Sequence, residues 1–261
     1  MGTFLSDPFI QSILKQIDSS DVLGVALVGS YARDEADPFS DVDFDIFVQD
    51  LPVDRSQRYS LRYQDEKLVS LKYLRLSDEW AALTNPRRAI WAVPGLRNMQ
   101  ILSDPEEALI ALQQAALQFD WAPLQSEADR FAVACVTGAA EEAHKILTGL
   151  GQNAESKILY AVWGLVKTLL EAVAVQQGLL IESENRYFDL IQNAIGHTSS
   201  WTQAFRQAWG LEPDHANAMA RGVAALQLYR LTAERFTTLI SGEDRVVVDR
   251  TLTLIQENIP S

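Results

Sequence analysis

Residues 22–48 of the chain read VLGVALVGSYARDEADPFSDVDFDIFV. Both ends of this stretch are apolar and predict strands, and the turn between them opens with Gly29-Ser30. The second strand carries Asp41, Asp43 and Asp45 at alternate positions. Because residues two apart on a strand point to the same face, the three carboxylates are predicted to form a column.

The acidic column and the glycine turn have complementary chemistry. Neighbouring carboxylates repel one another unless a cation lies between them, and Mg²⁺ accepts one or two carboxylates together with phosphate oxygens. Glycine lets the backbone approach a ligand, and a helix that starts after it would direct free N–H groups at an anion. The stretch therefore predicts a site for a metal ion and a nucleotide. Two alternatives stay open: an ordinary strand-to-helix turn and, for Asp45, a solvated or hydrogen-bonded carboxylate without a metal role.

The order of these residues resembles a known superfamily. Gly29-Ser30, followed after an interval by Ser40-Asp41-Val42-Asp43 at the start of an apolar strand, is similar to the nucleotidyltransferases that include DNA polymerase beta. The layout of the chain looks most like the small bacterial antibiotic nucleotidyltransferases of the kanamycin and lincosamide type. Those enzymes pair such a domain with a C-terminal helical domain.

The resemblance implies an enzyme. It would transfer a nucleoside monophosphate from ATP, or another nucleoside triphosphate, to a hydroxyl of a small molecule such as an aminoglycoside or a lincosamide. Asp41 and Asp43 would be catalytic and would hold Mg²⁺, while the backbone of Gly29-Ser30 would seat the phosphates. Arg33, three residues after the turn's serine, is a further candidate for phosphate binding through charge-assisted bonds. Its alternative is an ion pair with a neighbouring surface acid, Asp34 or Glu35.

A general base for the acceptor hydroxyl comes from the C-terminal domain in relatives of the kanamycin enzyme. Here Glu141 and Glu142 lie on a predicted helix. Glu142 shares its stripe with Cys135 and Ile146, so it should face inward more than Glu141 does. Glu142 is therefore the candidate catalytic base, and a simply solvated helix surface is the alternative.

One position departs from the family pattern. Active members usually carry a third carboxylate on the next strand, which the period-two run 67–76, KLVSLKYLRL, predicts here. The matching place holds Ser70, with Lys72 beside it, which puts a second metal ion and catalysis itself in doubt. Three other acids are open as substitutes: Asp45, Asp65 and Glu66.

The remaining pattern predicts an α+β fold in two parts. Residues 1–120 should form a small mixed-sheet nucleotidyltransferase domain, with a further strand at 99–103, a partly looped segment at 49–66 and a short helical turn at 89–93 that Pro94-Gly95 stops. Residues 121–261 show only helical periodicity and predict a bundle that binds the acceptor. The predicted helices are Ser126–Leu150, Glu155–Gln177, Asn185–Ile195, Ser200–Trp209, Pro213–Ile240 and Gly242–Ile255.

Composition limits the class of partner. The 261 residues carry a formal net charge of −13, which disfavours a long nucleic acid, because that binding depends on neutralising phosphates with Lys and Arg. A small or cationic acceptor suits this charge better. The only cysteine, Cys135, rules out a disulfide framework and fits the reducing cytoplasm. No segment is expected to reach the uninterrupted apolar length of a membrane span, so no membrane partner is predicted.

Two other functions stay open. Ser70 and Lys72 suit a nucleotide-binding protein that has lost transferase activity. The partner could also be another protein, as in protein-modifying or toxin-neutralising nucleotidyltransferases, although the large helical half suits a small acceptor better. The identity of the nucleotide and the oligomeric state, including a homodimer, are left open by the sequence.

Overall fold

The structure is a computed structural model that describes residues 6–17, 21–213 and 216–259. The chain forms two compact units. The first contains Met1–Trp121 together with Leu180–Ser183, and the second contains Ala122–Leu179 and Glu184–Ser261.

A five-stranded mixed sheet forms the centre of the first unit. Its strands are β1 (Val22–Val28), β2 (Val42–Val48), β3 (Tyr59–Gln64), β4 (Lys67–Arg75) and β5 (Gln100–Ser103). Their order across the sheet is β3-β4-β2-β1-β5. Strands β2 and β4 run parallel, and every other pair is antiparallel. The predicted α+β class, with a mixed sheet followed by helices, is confirmed.

Within the described part of this unit, five α-helices accompany the sheet: α1 (Asp7–Ile17), α2 (Gly29–Ala32), α3 (Leu76–Ala82), α4 (Pro86–Asn98) and α5 (Ala108–Leu117). One face of the sheet is apolar and packs Phe44 and Val69 against Ile13 of α1. On the other face, Phe47 and Ala26 pack with Leu96 of α4 and Leu112 of α5. The remainder of that second face carries the acidic column.

The segment 49–66, predicted to be partly loop, contains strand β3. A two-residue turn, Asp65 and Glu66, joins β3 to β4, and both residues have positive φ, 47° and 62°. Such a turn matches the twist of an antiparallel pair, but its usual sequence is Asn-Gly or Asp-Gly. The hairpin was missed because Asp-Glu is an uncommon sequence for this turn and YSLRYQ leaves one face exposed to solvent.

Helix α4 passes through Pro94-Gly95, so the predicted stop at that point is wrong. Proline lacks the N–H that would bond the carbonyl four residues earlier, which belongs to Ile90. That carbonyl instead accepts a hydrogen bond from the N–H of Ile181, at 2.6 Å. The helix therefore tolerates its proline because another segment of the first unit satisfies the freed carbonyl.

The second unit contains six helices within its described residues: α6 (Gln125–Gln152), α7 (Glu155–Gln176), α8 (Tyr187–Ile195), α9 (Ser200–Trp209), α10 (Ala218–Arg235) and α11 (Gly242–Asn258). Each corresponds to a predicted helix. The largest difference is α10, which starts at Ala218, where Asn217 caps it through a 2.8 Å bond to the N–H of Ala220. Residues 214 and 215, inside the predicted range, lie outside the described residues.

Helix α7 is long and apolar enough to cross a membrane by length and composition. This differs from the expectation that no segment reaches that threshold. Most of its apolar window is buried against other parts of the molecule. Leu165 and Leu169, for example, are fully buried. A buried core helix of a bundle accounts for this composition.

Candidate active site

The contact between Gly29 and Asp43 brings the predicted turn and the acidic column together. Gly29 follows β1 directly and has a φ of 69°, and Val28 is paired with Asp43 across β1 and β2. A Cβ atom at Gly29 would lie 2.4 Å from Oδ2 of Asp43. The carboxylate of Asp43 therefore rests against the backbone of the turn, and only glycine leaves space for it.

Burial and the negative charge of Asp41 raise the pKa of Asp43. A hydrogen bond from Ser70 and the positive charges of Lys72 and Arg33 act in the opposite direction without cancelling that rise. The ionised form of Asp43 is therefore disfavoured at this point of the sheet, and a nearby cation would stabilise it.

Ser70 lies beside Asp43 on the neighbouring strand. The parallel pairing of β2 and β4 places the two residues in register, and Ser70 is 5% exposed. It occupies the sheet position next to the acidic column where the resemblance implies a third carboxylate. A hydroxyl in that place can donate a hydrogen bond but brings no charge.

The hairpin acids Asp65 and Glu66 do not reach this position. They form the exposed turn before Lys67, and Lys67 is three residues from Ser70. At about 3.3 Å per residue, the turn lies about 10 Å or more from Ser70 along the strand.

Asp45 belongs to a second group of charges on the same face. Burial raises the pKa of Asp45 to about 7, and Glu79 and Asp43 add to the rise, whereas Lys72, in register on β4, opposes it. Glu79 itself lies on α3 and pairs with Arg88 at 3.4 Å. Sequence reasoning did not identify Glu79, because its position near Asp45 depends on where α3 leaves the sheet.

Arg33 forms an ion pair in this structure. Its Nε lies 2.9 Å from Oε2 of Glu35, and its side chain is 15% exposed. This is one of the two alternatives that the sequence left open. The same guanidinium still contributes positive charge at Asp43.

Glu142 lies on α6, in the second unit. Its side chain is 21% exposed and that of Glu141 is 75% exposed, as the helical stripe predicted. Oε1 of Glu142 accepts a hydrogen bond from Lys145 at 2.8 Å. Oε2 is buried and has no hydrogen-bond partner among the described residues. The carboxylate packs beside Gly164 of α7, where a Cβ atom would lie 3.4 Å from its Cδ.

The residues around Asp43 fit one divalent ion. Among the side chains that the structure describes, no group of three or more His, Cys, Asp and Glu residues is arranged to hold a metal. Asp41 and Asp43 supply two carboxylates and Ser70 a hydroxyl, a donor set that suits an ion completed by water and phosphate oxygens. A second ion would need a third carboxylate as a ligand, and Ser70 does not supply one.

Comparison with known proteins shows what this region is similar to. Residues 10–89 match the family model described as a nucleotidyltransferase domain. No match to the chain was found among curated proteins. One solved structure similar to this chain is that of a nucleotidyltransferase-like protein from Exiguobacterium sibiricum, with 11% identity and a TM-score of 0.48. The alignment covers 95% of this chain and 88% of that protein. Nucleotidyltransferase domains commonly use divalent metals. The match of residues 10–89 to this family model supports nucleotidyl transfer in general, with a nucleotide as a substrate.

Proposed function

We propose that this chain transfers a nucleoside monophosphate from ATP, or another nucleoside triphosphate, to a hydroxyl of a small molecule, with Mg²⁺ as cofactor. The observation that carries the proposal is the contact of Asp43 with Gly29, because it joins a carboxylate to a glycine turn on one face of the sheet. A metal ion at the carboxylates and phosphates at the turn would then be in contact with each other.

Each residue of the proposed site has a separate role in nucleotidyl transfer. Gly29 and Ser30 bind the β- and γ-phosphates through backbone N–H groups and the Ser30 hydroxyl. Asp41 and Asp43 hold the ion against the triphosphate. Mg²⁺, when bound, neutralises developing charge on the phosphate oxygens. Phosphoryl transfer needs mainly positioning and charge neutralisation, which these residues supply without a covalent intermediate.

Ser70 and Lys72 favour a site with one ion. Ser70 orients Asp43 through its hydrogen bond. Lys72 contributes a positive charge that acts on both Asp43 and Asp45. That charge partly replaces the one that a second ion would bring.

The part of the proposal that concerns the acceptor rests on the resemblance to the antibiotic nucleotidyltransferases. An aminoglycoside or a lincosamide is the candidate class of acceptor, and the helical unit is the candidate acceptor-binding domain. Glu142 is proposed as the general base for the acceptor hydroxyl. Arg33 would bind phosphate after leaving Glu35. The cytoplasm is the proposed compartment.

The second candidate function is nucleotide binding without transfer, and the uncharged Ser70 favours it. Transfer of label from α-labelled ATP to panels of aminoglycosides and lincosamides, measured beside ATP binding, separates the two functions. The same assay on a bacterial lysate shows whether label passes to a protein instead.

The decisive variant is Asp43→Asn. We expect it to reduce transfer by more than roughly 100-fold, since it removes a charged metal ligand, while the thermal unfolding midpoint stays near that of the wild type. Asp50→Asn, an exposed acid just after the same strand, is the matched control and should transfer normally. Transfer by Asp43→Asn at the wild-type rate would refute the proposed site.

A further inference from the structure

Strand β3 carries an exposed apolar stripe next to the candidate site. Tyr59, Leu61 and Tyr63 are 52%, 50% and 77% exposed. They alternate along the strand, so they point to one face of the sheet. The intervening Arg62 is partly buried, and Gln64 bonds Ser12 of α1 at 2.7 Å on the opposite face.

The strand register places this stripe on the same face as the acidic column. Leu61 is paired with Ser70, and Ser70 is paired with Asp43. Tyr59 is likewise paired with Lys72, which is paired with Asp45. At about 4.8 Å between strands, Leu61 lies two strands, or roughly 10 Å, from Asp43.

The expected direction of the transfer reaction suggests which substrate lies nearest the stripe. The attacking and leaving oxygens lie roughly in line through the α-phosphorus. With the β- and γ-phosphates at Gly29, next to β1, pyrophosphate leaves toward that side of Asp43. An acceptor on the opposite side of Asp43 would lie over β4 and β3, beside Ser70 and then the stripe.

We propose that Tyr59, Leu61 and Tyr63 bind an acceptor that carries an apolar or aromatic ring face beside its reactive hydroxyl. This inference rests on the proposed function and narrows its acceptor class. Three exposed apolar side chains in a row on an edge strand invite unwanted pairing, so their presence favours a binding role. Two tyrosines supply flat surfaces for stacking while their hydroxyls stay in water. A polycationic acceptor without such a face would be attracted by the net charge of −13 more than by the stripe.

The test uses matched pairs of small acceptors: the phenyl and methyl β-glycosides of glucose, galactose and mannose. Binding to the full chain is measured by saturation-transfer NMR titration in the presence of Mg²⁺ and a nonhydrolysable ATP analogue. We expect at least one phenyl glycoside to bind roughly tenfold more tightly than its methyl partner, from the apolar area that the ring buries. Kanamycin is included as the polycationic probe.

Two variants test whether the stripe causes the preference for phenyl glycosides. Replacing Tyr59, Leu61 and Tyr63 together by threonine removes the apolar stripe but places β-branched residues, which suit a strand, at all three positions. We expect it to reduce the preference to below about threefold. Val53→Thr changes an apolar residue that is 97% exposed outside the stripe and should leave the preference unchanged.

Equal binding within every pair, no binding of any glycoside, tighter binding of kanamycin, or a preference that survives in the triple variant would overturn the inference. So would a dimer seen by sedimentation in the wild type and lost in the triple variant, because the stripe would then be a self-association surface. Calorimetric titration of the same samples with Mg–ATP distinguishes failure of this inference from failure of the proposed function. If the wild type did not bind Mg–ATP at all, the proposed function itself would be refuted.

Discussion

Gly29 and Asp43 constrain each other at the scale of single residues. The carboxylate occupies the space that a side chain at Gly29 would need, and the positive φ of Gly29 is itself unfavourable for other residues. A side chain added at Gly29 would therefore displace the carboxylate of Asp43. The pair therefore couples the strand that carries the acids to the turn that is proposed to bind phosphate.

Gly29→Ala should expose this coupling. We expect a loss of about 1–2 kcal/mol in the free energy of unfolding, from the left-handed conformation alone, together with weaker Mg–ATP binding. Gly95→Ala is the control, because Gly95 lies inside α4 with nothing within 4 Å of its Cβ position, and it should gain about 0.5–1 kcal/mol. Urea unfolding and calorimetry check both. Normal nucleotide binding by Gly29→Ala would contradict the assignment.

Asp45 gives a pH dependence with a definite sign. Its pKa is about 7 in the folded chain against an ordinary value of 3.8. Between about pH 4 and 7 the folded state keeps a proton that the unfolded state has lost, so the free energy of unfolding falls as the pH rises through this window. Asp45→Asn cannot ionise and should be more stable than the wild type above pH 7. We expect about 2 kcal/mol, discounted for residual contact with solvent.

Thermal unfolding at pH 5, 6.5 and 8 measures this difference. The gap between Asp45→Asn and the wild type should widen with pH and level off above pH 7. Asp50→Asn, at an exposed position, should show no such trend. A gap that is constant or narrows as the pH rises would show that Asp45 is ionised in the folded chain at low pH.

The sequence indicated the centre of the site better than its surroundings. That Gly29 and Asp43 lie together could be predicted because a strand and a turn fix their positions locally. The ion pair of Arg33 with Glu35 was one of two alternatives, and the sequence could not choose between them. Glu79 was missed because it comes near Asp45 only through the packing of the helix after β4. Local pattern does not contain that information.

At the scale of elements, the two strands of residues 22–48 were predicted because their apolar residues, continuous in β1 and alternating with acids in β2, leave little ambiguity. Strand β3 was missed because it is an edge strand with exposed apolar side chains and an unusual turn. The end of α4 was misplaced because its proline is tolerated through Ile181, which is distant in sequence. The errors fall where a contact outside the segment overrides the local preference.

The hairpin turn offers a test at this scale. Asp65 and Glu66 both adopt positive φ, which side chains disfavour. The double substitution Asp65→Asn with Glu66→Gly should raise the free energy of unfolding by about 1 kcal/mol, because Asn-Gly suits this turn. Urea unfolding measures the change, with Glu66→Ala as a control that gains nothing. A loss of stability in the Asn-Gly variant would show that the turn residues have another structural role.

At the scale of the whole molecule, two compact units divide the chain, and the helical unit has its own tightly packed core. Gly222 of α10 lies against α6 and α7, and a Cβ atom there would be 2.9 Å from Ile158 and 3.2 Å from Leu150. Trp201 and Thr232 add a buried hydrogen bond of 2.9 Å between α9 and α10. The small residue therefore sets how closely the helices approach.

Gly222→Ala should destabilise the helical unit by about 1 kcal/mol, because overpacking outweighs the better helix propensity of alanine. Gly138→Ala, on the open side of α6, has nothing within 4 Å of its Cβ position and should stabilise by about 0.5–1 kcal/mol. Thermal unfolding of the two variants checks the opposite signs. Equal increases in stability from both variants would mean that the helices leave space for a Cβ atom at Gly222.

The most direct measurement of the central claim is calorimetric titration of the full chain with ATP, with and without Mg²⁺, for the wild type and Asp43→Asn. The wild type should bind ATP with Mg²⁺ present and lose at least roughly tenfold in affinity when the metal is removed. Asp43→Asn should show the weaker affinity under both conditions. Equal affinity of the two proteins for Mg–ATP would contradict a site in which Asp43 holds the metal against the triphosphate.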